Sequence, residues 1–206
     1  MFTVYGDIFS GNCYKVALLL HLLDKPFTWV PQSVLKGDTH KPEFLALNPN
    51  AKIPLLVLDS GQALPESNAI LNYLAQGTEF LPDSPLARAR VLQWQFFEQY
   101  SHEPTIAVAR FIMRYLNSPA ERLEELKAKQ QGGLRALSVK EQQLGETAYM
   151  AGDTFTIADI SLYAYTHVAD EGGISLDDYP NILHWIDRIE GRSRHLTMQQ
   201  AAQLLT

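Results

Sequence analysis

The spacing of hydrophobic and polar positions changes about 80 residues into the 206-residue chain. Before that point, short runs of β-branched and aromatic residues alternate with helical patterns, and after it the strand signal ends. Alternating β and α elements are typical of a small mixed sheet packed against helices. The pattern therefore predicts an α/β domain over residues 1–80 and an all-helical domain over residues 86–206, joined by the turn-rich segment 77–87.

The first part predicts four strands and two main helices. The strands fall at 2–5, 27–30 and 54–58, with a short edge strand at the end of 60–65. The first helix, at 12–24, is apolar on most sides and is expected to be buried on more than one face. A loop with a helical turn follows the second strand, and the second helix, at 68–75, carries its leucine and isoleucine residues at core spacing.

The second part contains only helical patterns, one of which holds a proline in its interior. Pro104 is expected to bend or interrupt its helix because proline removes a backbone hydrogen bond. Thr156 and Asp159 form a capping-box pattern, which indicates a structural helix start and not a catalytic aspartate. The predicted helices are 86–116, 119–144, 156–170, 180–190 and 194–204.

Composition narrows the function classes. The hydrophobic fraction of 46% and charged fraction of 19% are those of an ordinary globular protein. The net charge of −6, without a basic block, argues against nucleic-acid and anionic-membrane partners. The single cysteine excludes an internal disulfide, and the scattered histidines predict no metal site. A basic leader and a long apolar span are missing from the pattern, so a cytoplasmic protein is expected.

The stretch "FSGNCYK" at 9–15 looks like a Cys-x-x-Cys redox motif whose first cysteine is serine. Ser10 and Asn12 are plausible helix N-caps, which is the commoner role. The same helix end favours a nearby anion such as a thiolate. Lys15 is placed to add to this field, although a helix lysine more often points to solvent. Cys13 is expected to be a small buried apolar residue.

Two further stretches have open roles. In "NPNAKIPLLVL" at 48–58 a turn precedes Pro54 at a strand start, and periodicity alone does not justify a cis peptide bond there. In "LPESNAI" at 64–70, Ser67 either caps a helix beside the favourable charge of Glu66, or holds a carboxylate while Glu66 holds an ammonium.

Four stretches, taken in order, resemble the cytosolic glutathione transferases: S-x-x-C-x-K, N-P-N-A-K-I-P, E-S-N-A-I-L-x-Y-L and G-D-x-F-T-I-A-D. The resemblance covers essentially the whole chain and is to bacterial-type serine enzymes of the theta, delta and phi kind. It implies a thioredoxin-like first domain, an all-α helical-bundle second domain and glutathione as co-substrate. It also implies an electrophile pocket at the seam of the domains and a homodimer that pairs unlike domains of its two subunits.

By this resemblance, Ser10 hydrogen-bonds the glutathione sulfur, and Asn12 is a candidate to share that contact. Pro54 matches a cis-proline that lets the backbone of Ile53 pair with the cysteinyl part of glutathione. Lys52 lies beside the peptide. Glu66 and Ser67 match the pair that grips the γ-glutamyl end.

The resemblance is less complete at the glycyl end of glutathione. Related enzymes have a histidine where this chain has Thr39, so the following His40 and Lys41 are the candidates for the glycyl carboxylate. The electrophile pocket is expected to draw on the helical domain, although a structural role is the commoner one for each candidate. These candidates are Tyr100, His102, Arg110 and Tyr163.

One serine hydroxyl is sufficient for this chemistry. A free thiol of pKa about 8.5 is only about 3% thiolate at pH 7, and lowering that pKa by about two units requires about 2.7 kcal/mol. A hydrogen bond to a charged group contributes about 1.5–3 kcal/mol and a helix end about 0.3–1 kcal/mol more. We therefore expect a detoxifying transferase that adds glutathione to small hydrophobic electrophiles. The alternatives are a glutathione-dependent peroxidase or disulfide reductase and a non-catalytic binding module.

Overall fold

The computed structural model describes residues 1–205, and its contacts divide the chain into two units. The first unit contains residues 1–76 together with the segment that begins at Arg192, and the second contains residues 77–191. The sequence pattern alone predicts residues 86–206 as one domain, whereas in the structure the last segment packs with the first unit. A helical pattern indicates that a helix forms but does not indicate which surface it packs against.

The first unit is built on the predicted small mixed sheet, which the structure confirms. The strands are β1 (Phe2–Gly6), β2 (Phe27–Pro31), β3 (Leu55–Val57) and β4 (Ala63–Pro65). Their order is β2-β1-β3-β4, with β1 parallel to β2 and both other pairs antiparallel. The central strand β1 therefore leads directly into the first helix from the middle of the sheet.

Three helices of the first unit lie close to the predicted positions. They are α1 (Gly11–Leu22), α2 (Pro42–Leu45) and α3 (Ser67–Ala75), and a 3-10 turn at Asp38–His40 precedes α2. Every residue of α1 from 13 to 20 is buried, which confirms the expected burial on more than one face. Helix α3 packs against α1 and brings its N-terminus beside the first turn of α1.

The second unit consists of helices and short helical turns over the described residues. Its helices are α4 (Pro85–Phe97), α5 (Glu103–Arg110), α6 (Leu123–Glu146), α7 (Ile157–Thr166) and α8 (Pro180–Glu190). Single turns of π-helix occupy Glu98–His102 and Phe111–Tyr115, and 3-10 turns occupy Ala120–Arg122 and Ala169–Gly172. No helix within residues 1–205 has both the length and the apolar character needed to cross a membrane.

The expected interruption at Pro104 is confirmed. Pro104 is the second residue of α5, and the π-helical turn Glu98–His102 comes directly before it. Because proline has no N–H, the regular hydrogen bond to the preceding turn is missing at this point. The wider π turn accommodates that loss, so α4 and α5 follow each other without an intervening loop.

The capping box of α7 is also confirmed. The N–H of Ala158 donates to Thr156 Oγ1 at 3.3 Å, and the N–H of Thr156 donates to Asp159 Oδ2 at 2.9 Å. The other carboxylate oxygen of Asp159 accepts from Met150 N and from Trp185 Nε1, both at 2.9 Å. Burial raises the pKa of Asp159 although these hydrogen bonds act in the opposite direction. Asp159 is therefore a structural centre of the helical unit, as the sequence predicts.

The chain ends with α9 (Met198–Leu205), which packs against α1 in the first unit. The hydroxyl of the buried Tyr14 donates to the carbonyl of Leu196 at 2.5 Å. Asp24, just beyond α1, pairs with Arg194 at 3.1 Å. These contacts explain why the last segment belongs to the first unit.

Candidate active site

A tight turn between β1 and α1 places the "FSGNCYK" motif. Gly6 ends β1, and a Cβ atom at this position would lie 2.9 Å from Cys13 Sγ and 3.0 Å from the ring of Trp29. The missing side chain therefore allows the first turn of α1 to approach the end of the strand. The backbone N–H of Ser10 donates to the carbonyl of Asp7 at 2.9 Å, which closes the turn in front of the helix.

Ser10 occupies the N-cap position of α1, but its hydroxyl does not cap the helix. Its carbonyl accepts the first helical bonds, from Cys13 N at 3.0 Å and Tyr14 N at 2.9 Å, while its side chain makes no capping hydrogen bond. The structural role predicted for the hydroxyl is therefore wrong in this respect. The hydroxyl instead bonds the thiol of Cys13.

Cys13 is fully buried in the first turn of α1, which confirms its predicted packing role. Burial raises the pKa of its thiol to about 12, although hydrogen bonds from the Ser10 side chain and the Asp7 backbone act in the opposite direction. A thiol with this pKa stays protonated at neutral pH. The protonated thiol carries no charge and is a weak acceptor, so the Ser10 hydroxyl can instead donate its hydrogen to a stronger, charged acceptor.

Lys15 differs most clearly from its expected position. Of the two expectations for Lys15, a contribution to the field at the helix start and the commoner exposure to solvent, the second is wrong, because the side chain is fully buried. Its Nζ donates to Asn12 Oδ1 at 2.7 Å and to Ser67 Oγ at 3.5 Å. The Ser67 hydroxyl in turn donates to Asn12 Oδ1 at 3.3 Å. The structure thus joins Asn12 and Ser67, 55 residues apart in sequence, through a buried lysine.

Glu66 and Ser67 lie at the start of α3, but in roles that differ from the simple capping prediction. Ser67 is the first helical residue and Glu66 occupies the N-cap position without a side-chain capping bond. The backbone of Glu66 has φ 72° and ψ 110°, a region that costs a non-glycine residue about 1–3 kcal/mol. Such strain concentrates at ligand sites, and the Glu66 side chain is exposed.

The loop before β3 carries the Ile53–Pro54 peptide bond, which is cis, as the family resemblance implies. Ile53 is half-buried, Pro54 is buried and the side chain of Lys52 is exposed. The buried Asn48 holds this loop, because its Nδ2 donates to the carbonyl of Lys52 at 2.8 Å. Asn48 therefore positions this loop. It belongs to the predicted turn "NPN", but the sequence pattern does not predict this role for it.

The two candidates for the glycyl carboxylate lie beside the 3-10 turn. Thr39 is buried, and its hydroxyl lies 3.3 Å from Nδ1 of the exposed His40. Lys41 is exposed and pairs with Asp38 at 2.7 Å, a contact that raises the pKa of Lys41. Both side chains are therefore on the surface, and their assignment to the carboxylate stays a prediction.

Comparison with known proteins identifies the family. Residues 9–76 match the glutathione S-transferase N-terminal domain, and residues 102–193 match the glutathione S-transferase C-terminal domain. Glutathione S-transferase F13 of Arabidopsis thaliana is 32% identical over 94% of this chain and 92% of its own. The disulfide-bond oxidoreductase YfcG of Escherichia coli is 30% identical over 89% of this chain and 87% of its own. A solved glutathione S-transferase from Pseudomonas fluorescens is 56% identical, with a TM-score of 0.94 over 96% of this chain and 98% of that chain.

The chain belongs to the glutathione S-transferase family. It is a glutathione transferase, and the expected thioredoxin-like domain followed by an all-helical domain is confirmed.

Three of the four electrophile-pocket candidates of this transferase are buried in the helical unit. His102 Nε2 lies 3.0 Å from Thr166 Oγ1, which also accepts a hydrogen bond from the buried Lys140. Arg110 pairs with Glu171 at 2.7 Å. These contacts are structural, as the commoner role of each residue predicts, and their part in binding an electrophile stays a prediction.

The other two candidates differ sharply in exposure. Tyr163 is buried, and its hydroxyl donates to Glu190 Oε1 at 2.9 Å. Its ring stacks on the ring of His167, with the two ring centroids 4.3 Å apart. Tyr100 is 91% exposed. Tyr100 is therefore the candidate whose side chain is open to a small molecule. Among residues 1–205, the histidine, cysteine and carboxylate side chains form no group of three suited to a metal ion.

Proposed function

We propose that this transferase activates the thiol of glutathione through the hydroxyl of Ser10 and adds the resulting thiolate to small hydrophobic electrophiles. The observation that carries the proposal is the position of Ser10. It sits at the N-cap of α1 while its hydroxyl takes no part in capping, so the hydroxyl serves another purpose. Its partner in the structure is a thiol that burial keeps neutral, and a bound thiolate is a stronger acceptor for the Ser10 hydroxyl than this neutral sulfur.

In the proposed reaction, the thiol proton of glutathione passes to solvent and the Ser10 hydroxyl donates a hydrogen bond to the thiolate. The N-terminus of α1 adds its positive dipole end. The sulfur then forms a bond to the electrophilic carbon of an aryl halide, and the halide leaves with the electron pair of its bond. Ser10 forms no covalent intermediate. Binding of both substrates holds the glutathione sulfur close to the electrophilic carbon.

The remaining predicted residues hold glutathione in this proposal. Ser67 at the start of α3 takes the γ-glutamyl carboxylate, and the exposed Glu66 takes the ammonium group. The backbone of Ile53 pairs with the cysteinyl part, with Lys52 beside it. His40 and Lys41 are the candidates for the glycyl carboxylate.

The proposal is tested by retention on immobilised glutathione and by conjugation of 1-chloro-2,4-dinitrobenzene. Removal of one hydrogen bond to a charged group costs about 1.5–3 kcal/mol, so we expect Ser10→Ala to lower kcat/KM between about 10-fold and 150-fold. The matched control is Ser60→Ala, since Ser60 is exposed in the β3–β4 turn, where its hydroxyl donates to Gln62 Oε1 at 3.2 Å. Undiminished turnover in Ser10→Ala would remove Ser10 from this role.

The proposal extends to assembly and location. We infer a homodimer in the cytoplasm whose helical units, with the exposed Tyr100, supply the contacts to the electrophile. Sedimentation velocity measures the assembly, and a monomer at micromolar concentration would contradict it. Cell fractionation measures the location, and recovery in a membrane or secreted fraction would contradict it.

A second function is favoured by the similarity to the disulfide-bond oxidoreductase YfcG. In disulfide reduction, the glutathione thiolate attacks one sulfur of the substrate and the other sulfur leaves as a thiolate. A second glutathione then attacks the mixed disulfide, so that oxidised glutathione and the second substrate thiol are released. The buried Cys13 does not act as the attacking thiol. Turnover of an aryl halide and of a mixed disulfide by one preparation separates the two functions.

A further inference from the structure

We propose that Lys15 is a positioning residue that gives this transferase its preference for the γ-glutamyl carboxylate of glutathione. The inference rests on the proposed function, in which Ser67 takes that carboxylate. It assigns to Lys15 a role in ligand preference that the spacing of residues along the sequence does not indicate. Lys15 acts through Ser67 and Asn12 and does not itself touch the reacting sulfur.

The geometry places a cation directly at the start of α3. Lys15 is fully buried in α1, and its Nζ bonds Asn12 Oδ1 at 2.7 Å and Ser67 Oγ at 3.5 Å. Ser67 is only 5% exposed and is the first residue of α3. Three side chains from two helices therefore form one hydrogen-bonded cluster, and Lys15 is the cation among the three.

The chemistry of the ammonium fixes the orientation of both partners. A lysine ammonium has three donors and no acceptor, so only an oxygen can face it. The carboxamide of Asn12 must therefore turn its oxygen toward Lys15 and its NH₂ group away. Ser67 likewise presents its oxygen to Lys15 and its hydrogen to Asn12 Oδ1, at 3.3 Å, so its backbone N–H at the start of α3 is the donor to the carboxylate. Without the cation, the bonds from Lys15 no longer fix the orientation of either group.

The buried charge also acts on an anion that Ser67 holds. A positive charge inside the protein is screened much less than one on the surface. It adds to the partial positive charge at the N-terminus of α3, which favours a carboxylate there. The cluster therefore discriminates between ligands that carry the γ-glutamyl carboxylate and ligands that lack it.

The test compares three thiol tripeptides by calorimetric titration against the full-length protein. They are glutathione, 4-aminobutanoyl-cysteinyl-glycine, which lacks the γ-glutamyl carboxylate, and glutaryl-cysteinyl-glycine, which lacks the amino group. We expect the wild-type protein to prefer glutathione over the decarboxylated analogue. In Lys15→Met this preference falls about tenfold, which is about 1.4 kcal/mol of binding free energy. The preference over the deaminated analogue stays within about twofold, because the ammonium is bound by Glu66.

Controls separate this role from a purely structural one. Lys25→Met removes an exposed lysine of the same unit and leaves both preferences unchanged. Lys15→Arg keeps the charge and retains the preference for the carboxylate. If Lys15→Met does not fold, as judged by thermal unfolding, Lys15→Gln gives the same comparison with a polar neutral side chain.

The outcomes are distinguishable. If the neutral variant at position 15 keeps the full preference for the carboxylate, or loses affinity for all three peptides equally, the role of Lys15 is overturned while the proposed function stands. If the wild-type protein binds none of the three peptides, the proposed function itself fails.

Discussion

Ser10 and Cys13 lie three residues apart at the start of α1, but their side chains differ in burial and in their ability to act on a ligand. Ser10 is half-buried and keeps its hydroxyl out of helix capping, whereas Cys13 is fully buried. Burial raises the pKa of the Cys13 thiol to about 12, so it remains neutral where a nucleophile would have to ionise. The reactive sulfur must therefore come from the bound tripeptide.

The first prediction concerns the reactivity of Cys13. A thiol reagent at about pH 8 is expected to leave the native protein unmodified and to modify one thiol per chain after unfolding in urea, where the pKa returns to about 8.5. Because the folded pKa is raised, the contribution of Cys13 to stability is present below the unfolded pKa and is lost as the pH rises toward 12. Rapid modification of the native protein would contradict this assignment.

At the scale of elements, the capping box of α7 shows how one local motif supports the helical unit. Asp159 accepts hydrogen bonds from the backbone of Thr156 and Met150 and from the indole of Trp185. These donors come from the cap, the preceding loop and α8. One carboxylate therefore fixes the start of α7 to its neighbours.

The second prediction is a loss of stability in Asp159→Ala. The substitution leaves several buried N–H donors without an acceptor, each costing about 1–3 kcal/mol, so we expect the free energy of unfolding to fall by at least about 3 kcal/mol. Asp153→Ala, in the exposed part of the same loop, is the control and is expected to change it by less than about 0.5 kcal/mol. Urea unfolding measures both, and equal effects of the two substitutions would refute the role of Asp159.

The elements also show which features a sequence can predict. The capping box was predictable because Thr156 and Asp159 are three residues apart and interact within one turn. The burial of Lys15 was not predictable, because its partner Ser67 lies in another helix, 52 residues away. The same reason applies to the last helix, whose docking on α1 depends on the bond from Tyr14 to Leu196.

At the scale of the whole molecule, the chain returns to its first unit after it completes the second. The segment from Arg192 packs with residues 1–76, so the first unit is discontinuous in sequence. Tyr14 belongs to the same helix as Ser10, and its hydroxyl binds the returning segment. The C-terminal segment therefore stabilises the helix that carries Ser10, for which we propose the thiol-activating role.

The third prediction tests this arrangement with Tyr14→Phe. Loss of one buried hydrogen bond lowers the free energy of unfolding by about 1 kcal/mol, and the unsatisfied carbonyl of Leu196 adds to that cost. We expect faster proteolytic cleavage in the segment after Arg192. Tyr73→Phe, in a half-exposed position on α3, is the matched control. Identical cleavage rates in the two variants would show that the bond does not anchor the segment.

The central claim is that Ser10 lowers the pKa of the thiol of bound glutathione. Ultraviolet absorbance of the thiolate, followed as a function of pH in the complex, measures that pKa directly. In the wild-type complex we expect the pKa of the glutathione thiol to lie about two units below that of the free thiol. In Ser10→Ala with glutathione still bound, we expect this pKa to return toward the free value. A Ser10→Ala complex that keeps the lowered pKa would contradict the account.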